Sequence, residues 1–235
     1  MNSYDNFLEK YRIYTVISLG IAIALWEFVA VFVVRNSFLL PSFIDTMTSL
    51  YNLVKSMEIF SDLIISLYHF ILGMFFAVVL GIPIGMGMGW FKKVDNLMDP
   101  IIELLRPVPP LAWIPFAIVW FGLTHQSAGF IIFVGAFFPI LTNTYSGFSS
   151  IPKTLVEAAK VLGCTRSRDL LKSVGLPSSL PHIAVGLRVA MGIGWMCLVA
   201  AELFGVSKNG LGYKIWWYYY LHRMDNVLSY MIILG

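Results

Sequence analysis

The longest polar interval of this apolar chain runs from Pro152 to Pro181 and holds the residues best suited to binding chemistry. In it five cations outnumber two acids: Lys153, Lys160, Arg166, Arg168 and Lys172 against Glu157 and Asp169. The Glu157 carboxylate can accept charge-assisted hydrogen bonds from another protein. Its neighbours Ala158 and Ala159 are small enough to let a second surface approach closely. The interval therefore indicates recognition of a partner rather than catalysis.

The spacing within this interval predicts two short helices. Leu155, Ala159 and Leu162 recur on one face of the first helix. The caps and stops that we expect are, in chain order, Ser150, Gly163, Thr165, Gly175 and Pro177. A short amphipathic helix of this kind suits a groove on a cytosolic protein. A basic helix lying on anionic lipid is the alternative that composition alone leaves open.

The composition of the chain places it in a membrane. Of its 235 residues, 58% are hydrophobic and only 12% are charged, whereas a soluble domain is typically about a quarter charged. The net charge of +3 is small, and the cations concentrate in loops, so nucleic acid is not an expected partner. An integral membrane protein is the class that remains.

Signatures of catalytic and metal sites are missing from the sequence. The four histidines lack the spacing of metal ligands, and the two cysteines give no disulfide framework. The glycine run that ends at Gly89 lacks the Gly-Lys-Ser/Thr of a phosphate-binding loop. We therefore expect a chain without enzymatic activity, nucleotide site, metal or cofactor of its own.

Apolar runs predict an all-α, polytopic membrane fold of about six helices within one domain, residues 1–235. A helix needs roughly 20 apolar residues to cross the hydrocarbon layer. The runs are Val16–Val34, Leu63–Trp90, Leu111–Phe121 with its flanks, Ala128–Phe148 and Ile183–Phe204. A sixth run starts near Val227 and stops at Gly235, which predicts a truncated last helix. With the N-terminus inside, ten lysines and arginines fall on the inner side and five on the outer, so we expect a cytoplasmic N-terminus.

Two features of the apolar runs can each be interpreted as part of a transport mechanism or as structural. Gly81, Gly85 and Gly89 share one helical face and predict close helix packing, either static or moving. The segment Arg106–Pro115 has four prolines in nine residues, which no regular helix accommodates. Broken backbone in a membrane survives only beside protein or a watery cavity. We therefore take Pro109, Pro110 and Trp113 as candidates for a translocation pathway, with a bent helix end as the alternative.

Three ionisable residues, Glu27, Arg188 and Glu202, lie in or near the apolar runs. A charge in hydrocarbon is costly, so such residues usually face protein or water. Arg188 and Glu202 are further candidates for the pathway. Reaching the membrane surface is the alternative for each of them.

Three motifs resemble one family. Glu157-Ala158-Ala159, Gly163 and Leu176-Pro177 resemble the EAA loop of ABC importer permeases, here residues 149–177. Arg106 to Gly122, RPVPPLAWIPFAIVWFG, and Ala201 to Tyr213, AELFGVSKNGLGY, resemble segments of the nitrate/sulfonate/taurine branch. One departure lies in the loop, where twelve residues separate Gly163 from Leu176 and the family pattern usually has eleven.

The resemblance implies a type I importer permease that forms the pore for a small solute such as a sulfonate, taurine or nitrate. It implies ATP-binding cassette subunits that hold the ATP and Mg and bind Glu157, Ala158, Ala159 and Gly163. It also implies a second permease copy, an extracytoplasmic substrate-binding protein and a location in the inner membrane of a prokaryote. The alternatives are an ATP-independent secondary transporter and a membrane scaffold that recruits a cytosolic protein.

Overall fold

Helices make up nearly all of the regular structure. The computed structural model describes the backbone of residues 2–235 and the side chains of residues 13–235, and this part of the chain contains no strand. The α-helices are α1 Asn2–Phe28, α2 Phe43–Lys55, α3 Glu58–Trp90, α4 Lys92–Leu105, α5 Ile114–Phe121, α6 His125–Ser149, α7 Lys153–Val161, α8 Ser167–Leu170, α9 Leu176–Leu203, α10 Leu211–Tyr220 and α11 Met224–Leu234. Two π-helical turns, Val29–Val34 and Leu171–Gly175, and a 3-10 helix, Pro110–Trp113, complete them.

Four helical stretches of the described chain are long and apolar enough to cross a membrane. They are Ile13–Val34, Glu58–Trp90, His125–Ser149 and Ser167–Leu203. A fifth crossing is possible if α4 and the Pro110–Phe121 helix, which are bent by 85° relative to each other, form one broken span. α11 is apolar but shorter. The expected all-α, multi-pass architecture is confirmed.

The chain groups into two compact units. One contains residues up to Asp62 together with Lys214–Gly235, and the other contains Leu63–Tyr213. The second unit holds both the candidate pathway and the EAA loop.

In the first unit the N-terminus of α2 is held by two side-chain acceptors. Glu27 Oε2 accepts the Phe43 N–H at 2.7 Å, and Ser42 Oγ accepts the Asp45 N–H at 3.0 Å. These contacts satisfy N–H groups that have no partner within the helix. One of the three ionisable residues in the apolar runs therefore has a structural role here.

Buried polar contacts fasten the C-terminal helices of this unit. The Tyr230 hydroxyl donates to Asp62 Oδ2 at 2.7 Å. Glu58 Oε1 accepts from Lys214 Nζ at 2.6 Å and from the Tyr218 hydroxyl at 2.9 Å. Burial, followed by the hydrogen bond to Glu58, raises the pKa of Tyr218. The phenol therefore stays a neutral donor at physiological pH.

The second unit is built around α6, which packs against α3 on one side and α9 on the other. The predicted glycine face of α3 is the contact surface: a Cβ on Gly85 would lie 2.6 Å from the Leu141 carbonyl oxygen, and one on Gly89 would lie 2.5 Å from Phe148 Cβ. Backbones approach this closely only where side chains are absent, which is how helices associate in lipid. The close packing predicted from the sequence is confirmed.

The predicted start of α7 is wrong. Ser150 follows the last residue of α6, and its hydroxyl donates to the Gly147 carbonyl oxygen at 3.2 Å. Pro152 occupies the N-cap position of α7 instead. Because Ser150 is held by the preceding helix, it cannot cap the next one.

The predicted end of the second short helix is also wrong. Helical backbone runs from Ser167 to Leu203 without a break, and Pro177 lies in the first turn of α9. A proline is tolerated in a first turn. The π-helical turn that precedes α9 replaces regular α-helical hydrogen bonding before Pro177, so the proline does not stop the helix.

Candidate coupling loop and translocation site

The EAA loop begins with a short helix that ends at a glycine. After α7 the Gly163 N–H donates to the Lys160 carbonyl oxygen at 3.0 Å, and the Cys164 N–H donates to the Ala159 carbonyl oxygen at 3.0 Å. This pair of bonds is the Schellman motif. Gly163 has φ of +97°, a conformation that only glycine adopts without strain. The predicted helix stop at this glycine is confirmed.

α7 projects from the unit and buries none of its residues. Val161 and Leu162 are 88% and 86% exposed, and Leu155 is 48% exposed. Glu157 and Ala158 are also exposed, and the Glu157 carboxylate makes no hydrogen bond or ion pair to the described residues. A helix with uncovered apolar side chains beside a free carboxylate has the character of a binding surface.

The rest of the loop is anchored to the spans. Leu170 and Gly175 are buried, and a Cβ on Gly175 would lie 3.2 Å from the Trp90 ring. The Trp90 indole N–H donates to Ser167 Oγ at 3.1 Å. α8, the π-helical turn and α9 therefore form one continuous helical rod whose base rests on the end of α3.

A π-helical turn lies between Gly163 and Leu176, the stretch in which the sequence departs from the family spacing. Its hydrogen bonds run from residue i to i+5, as the Leu176 N–H bond to the Leu171 carbonyl oxygen illustrates. Such a turn contains one residue more than an α-helical turn. This turn, Leu171–Gly175, lies beyond the end of α7 at Val161.

The proline segment borders a cavity of about 380 Å³ between α6 and α9. Arg106, Val108 and Pro110 line it from the segment, and Asn143 and Val189 line it from the two helices. A cavity of this size lies in the range of small-molecule sites. The broken backbone is therefore found beside a cavity.

The remaining candidates from the proline segment have different environments. Pro109 precedes the 3-10 helix as its N-cap residue and is exposed. Trp113 is partly buried and packs against the apolar core of the unit, with its ring centroid 5.9 Å from that of Phe116 and 6.4 Å from that of Phe130. Trp113 thus fixes the segment against α6.

Arg188 lies on an exposed face of α9, twelve residues after the start of this helix at Leu176. Its guanidinium has no hydrogen-bond or ion-pair partner among the described residues. A Cβ added to Gly192, one turn further on, would have nothing within 4 Å. An arginine at this depth is costly against lipid and usually faces protein or water.

Glu202 is fully buried at the other end of α9 and is the centre of a polar network. Its carboxylate accepts from Ser66 Oγ at 2.9 Å and from the Gly212 N–H at 2.9 Å. His69 Nδ1 lies 2.7 Å from Glu202 Oε1, and His69 Nε2 lies 2.7 Å from His125 Nδ1. The network ties α3, α6 and α9 to the first turn of α10.

Sequence reasoning did not identify this network or the role of Arg106 in the cavity. Glu202 and His69 are separated by 133 positions, and nothing in the local pattern around either residue indicates the other. In the sequence, Arg106 is only the first residue of the proline segment. The nearest sequence signal is the concentration of ionisable residues in otherwise apolar helices.

The described chain is an all-α, multi-pass membrane protein with a cavity between its helices and a projecting short helix. Residues 77–235 match the family model described as binding-protein-dependent transport system inner membrane component. The chain belongs to this family, and it is an importer permease subunit of the ABC type. The family implies ATPase and substrate-binding partners.

Curated relatives agree with this assignment. A protein of Methanocaldococcus jannaschii described as a putative ABC transporter permease is 45% identical over 92% of this chain and 82% of its own length. The taurine transport system permease of Escherichia coli is 42% identical over 64% of this chain and 54% of its own. The bicarbonate transport system permease of Synechococcus elongatus is 36% identical over 75% of this chain and 63% of its own length.

Proposed function

We propose that this permease forms the translocation pore for a small anion and that a separate ATPase subunit drives it through α7. The carrying observation is the exposed α7, whose apolar side chains and free Glu157 carboxylate lie next to a helical rod that continues into a span. ATP and Mg belong to that ATPase subunit in this proposal, and this chain contributes no cofactor. Its own contribution is to bind and to transmit movement.

Movement can pass from the loop to the spans because little separates them. The turn at Gly163 is closed by two backbone hydrogen bonds, and helical structure continues from Ser167 to Leu203. A shift of α7 that accompanies ATP binding would therefore tilt or rotate α9. For this to drive transport, α7 must bind the two states of the ATPase differently.

The charge distribution supports the proposed orientation in the membrane, and the exposed Arg188 supports a second permease copy. The lysine and arginine bias favours a cytoplasmic N-terminus in the inner membrane of a prokaryote, with α7 in the cytoplasm. A second permease copy against the exposed face of α9 would shield Arg188 from lipid. Pro109 and Pro110 then border one half of a shared pore, and Trp113 and Glu202 support that half from inside the unit.

The proposed cargo is a small anion. Relatives are described as taurine and bicarbonate permeases, and both solutes carry an oxyanion group. Arg106 and Arg188 are cations on exposed surfaces of the candidate pathway. Which anion is carried depends in this proposal on the substrate-binding protein as well.

The test is charge reversal on α7. We expect Glu157→Lys to abolish ATP-dependent uptake in cells and to reduce the amount of ATPase that co-purifies with the tagged permease. The matched control is Glu103→Lys, which reverses an exposed acid on α4 and should leave both unchanged. Normal uptake and normal co-purification in Glu157→Lys would refute α7 as the coupling element.

A further inference from the structure

The cavity bordered by the proline segment, α6 and α9 has an uneven distribution of charge. Of the described residues that line it, Arg106 alone carries a charge, and its guanidinium has no hydrogen-bond or ion-pair partner in the described chain. An unpaired arginine beside a cavity offers up to five N–H donors in a planar fork. This geometry fits the oxygens of a carboxylate, sulfonate or carbonate group.

Asn143 of α6 adds a hydrogen-bond donor to the same cavity. The Asn143 amide donates to the Pro139 carbonyl oxygen at 2.9 Å, which uses one of its two N–H groups. The second N–H of Asn143 remains available at the cavity wall.

We propose that this cavity is an oxyanion site on the translocation pathway, in which Arg106 binds the charged group of the cargo and Asn143 donates a further hydrogen bond. The inference rests on the proposed function, because it assumes an anionic cargo that passes along α6 and α9. Charge-assisted hydrogen bonds from arginine are the strongest contacts available there. A single cation holds the anion loosely enough for release, which a pathway requires.

The cavity also lies beside α9, the helix that moves in the proposed mechanism. Val189 of α9 lines the cavity, and α9 continues from the rod that begins at Ser167. A Cβ on Gly186 would lie 2.8 Å from Asn143 Cβ, so α9 and α6 touch at this point. A rotation of α9 would therefore move Val189, and with it one wall of the cavity, relative to Arg106 and Asn143.

The first experiment measures ATP-dependent uptake of radiolabelled taurine and bicarbonate by cells that carry chromosomal substitutions. We expect Arg106→Gln to reduce the initial rate roughly tenfold or more, since it removes a hydrogen bond to a charged group. Arg106→Lys keeps the charge and should retain part of the rate. The control Lys93→Gln removes an exposed cation from α4 that does not line the cavity, and it should transport normally.

The second experiment measures the charge preference of the cavity without transport. Asn143→Cys, in a background with Cys164→Ser and Cys197→Ala, is labelled in membranes by anionic and cationic methanethiosulfonates. We expect the anionic reagent to be favoured and expect Arg106→Gln to lower the ratio of the two rates roughly tenfold. Lys93→Gln should not change this ratio.

The outcomes separate the two proposals. Failure of the unmodified permease to take up either anion would exclude taurine and bicarbonate as its cargo, and the labelling ratio would still decide whether Arg106 makes the cavity selective for anions. An unchanged ratio in Arg106→Gln would overturn the site. A changed ratio with normal uptake of the anion in Arg106→Gln would overturn its place on the pathway.

Discussion

Replacing Glu202 by alanine should destabilise the second unit through the partners that it leaves behind. The carboxylate is fully buried, as are Ser66 and His69. Truncation removes the acceptor for the Gly212 N–H and the hydrogen-bond partner of His69 Nδ1. Ser66 can rotate its hydroxyl toward another acceptor, so two groups remain unpaired.

The expected loss of unfolding free energy follows from these two unpaired groups. Each buried polar group without a partner costs about 1–3 kcal/mol, which gives about 2–6 kcal/mol for Glu202→Ala. For a chain of this length, about 2 kcal/mol lowers the midpoint of thermal unfolding by roughly 4–8 °C. Glu202→Gln keeps the volume and one acceptor oxygen, so it should fall between the alanine variant and the unmodified protein.

The assay combines two measurements in lipid nanodiscs. Tryptophan fluorescence gives the unfolding midpoint, and hydrogen–deuterium exchange of the Gly212 amide reports on the first turn of α10. Faster exchange at Gly212 is expected because Glu202 accepts that N–H. The matched control is Glu103→Ala, which truncates an exposed carboxylate without a described partner. An unfolding midpoint within about 1 °C of the unmodified protein together with unchanged Gly212 exchange in Glu202→Ala would refute this reasoning.

Two further predictions concern glycines. Gly163→Ala should reduce uptake and lower the free energy of unfolding by about 1–2 kcal/mol, because φ at this residue is +97°. Gly20→Ala, which also has open space around it, should behave normally, and equal uptake by the two variants would contradict the strain argument. Gly85→Ala should lower the free energy of unfolding by about 1–3 kcal/mol through overpacking, since its Cβ would lie 2.6 Å from the Leu141 carbonyl oxygen. Gly20→Ala, with nothing within 4 Å, is its control, and matching thermal midpoints for the two would disprove the predicted contact.

Local patterns in the sequence were sufficient to predict the main features of the helices. The length of the apolar runs, the glycine spacing on α3 and the stop at Gly163 each depend on residues within a few turns of one another, so the backbone geometry follows from them directly. The same reasoning was wrong where two local signals competed. Ser150 was available to either of two helices, and Pro177 fitted either the end of one helix or the first turn of the next.

Tertiary packing decided what the polar groups do. Glu202 meets His69, and the Arg106 side chain shares a cavity with Asn143, because α3 and α9 pack closely on α6 through glycines. Contacts between such distant residues depend on the rotation and depth of each helix in the bundle, which local sequence does not encode. The sequence indicated a multi-pass membrane protein, motifs that resemble those of importer permeases, and a short helix that ends at Gly163. Only the three-dimensional structure placed an unpaired arginine beside a cavity and a buried glutamate at the centre of a network, since both depend on contacts between distant segments.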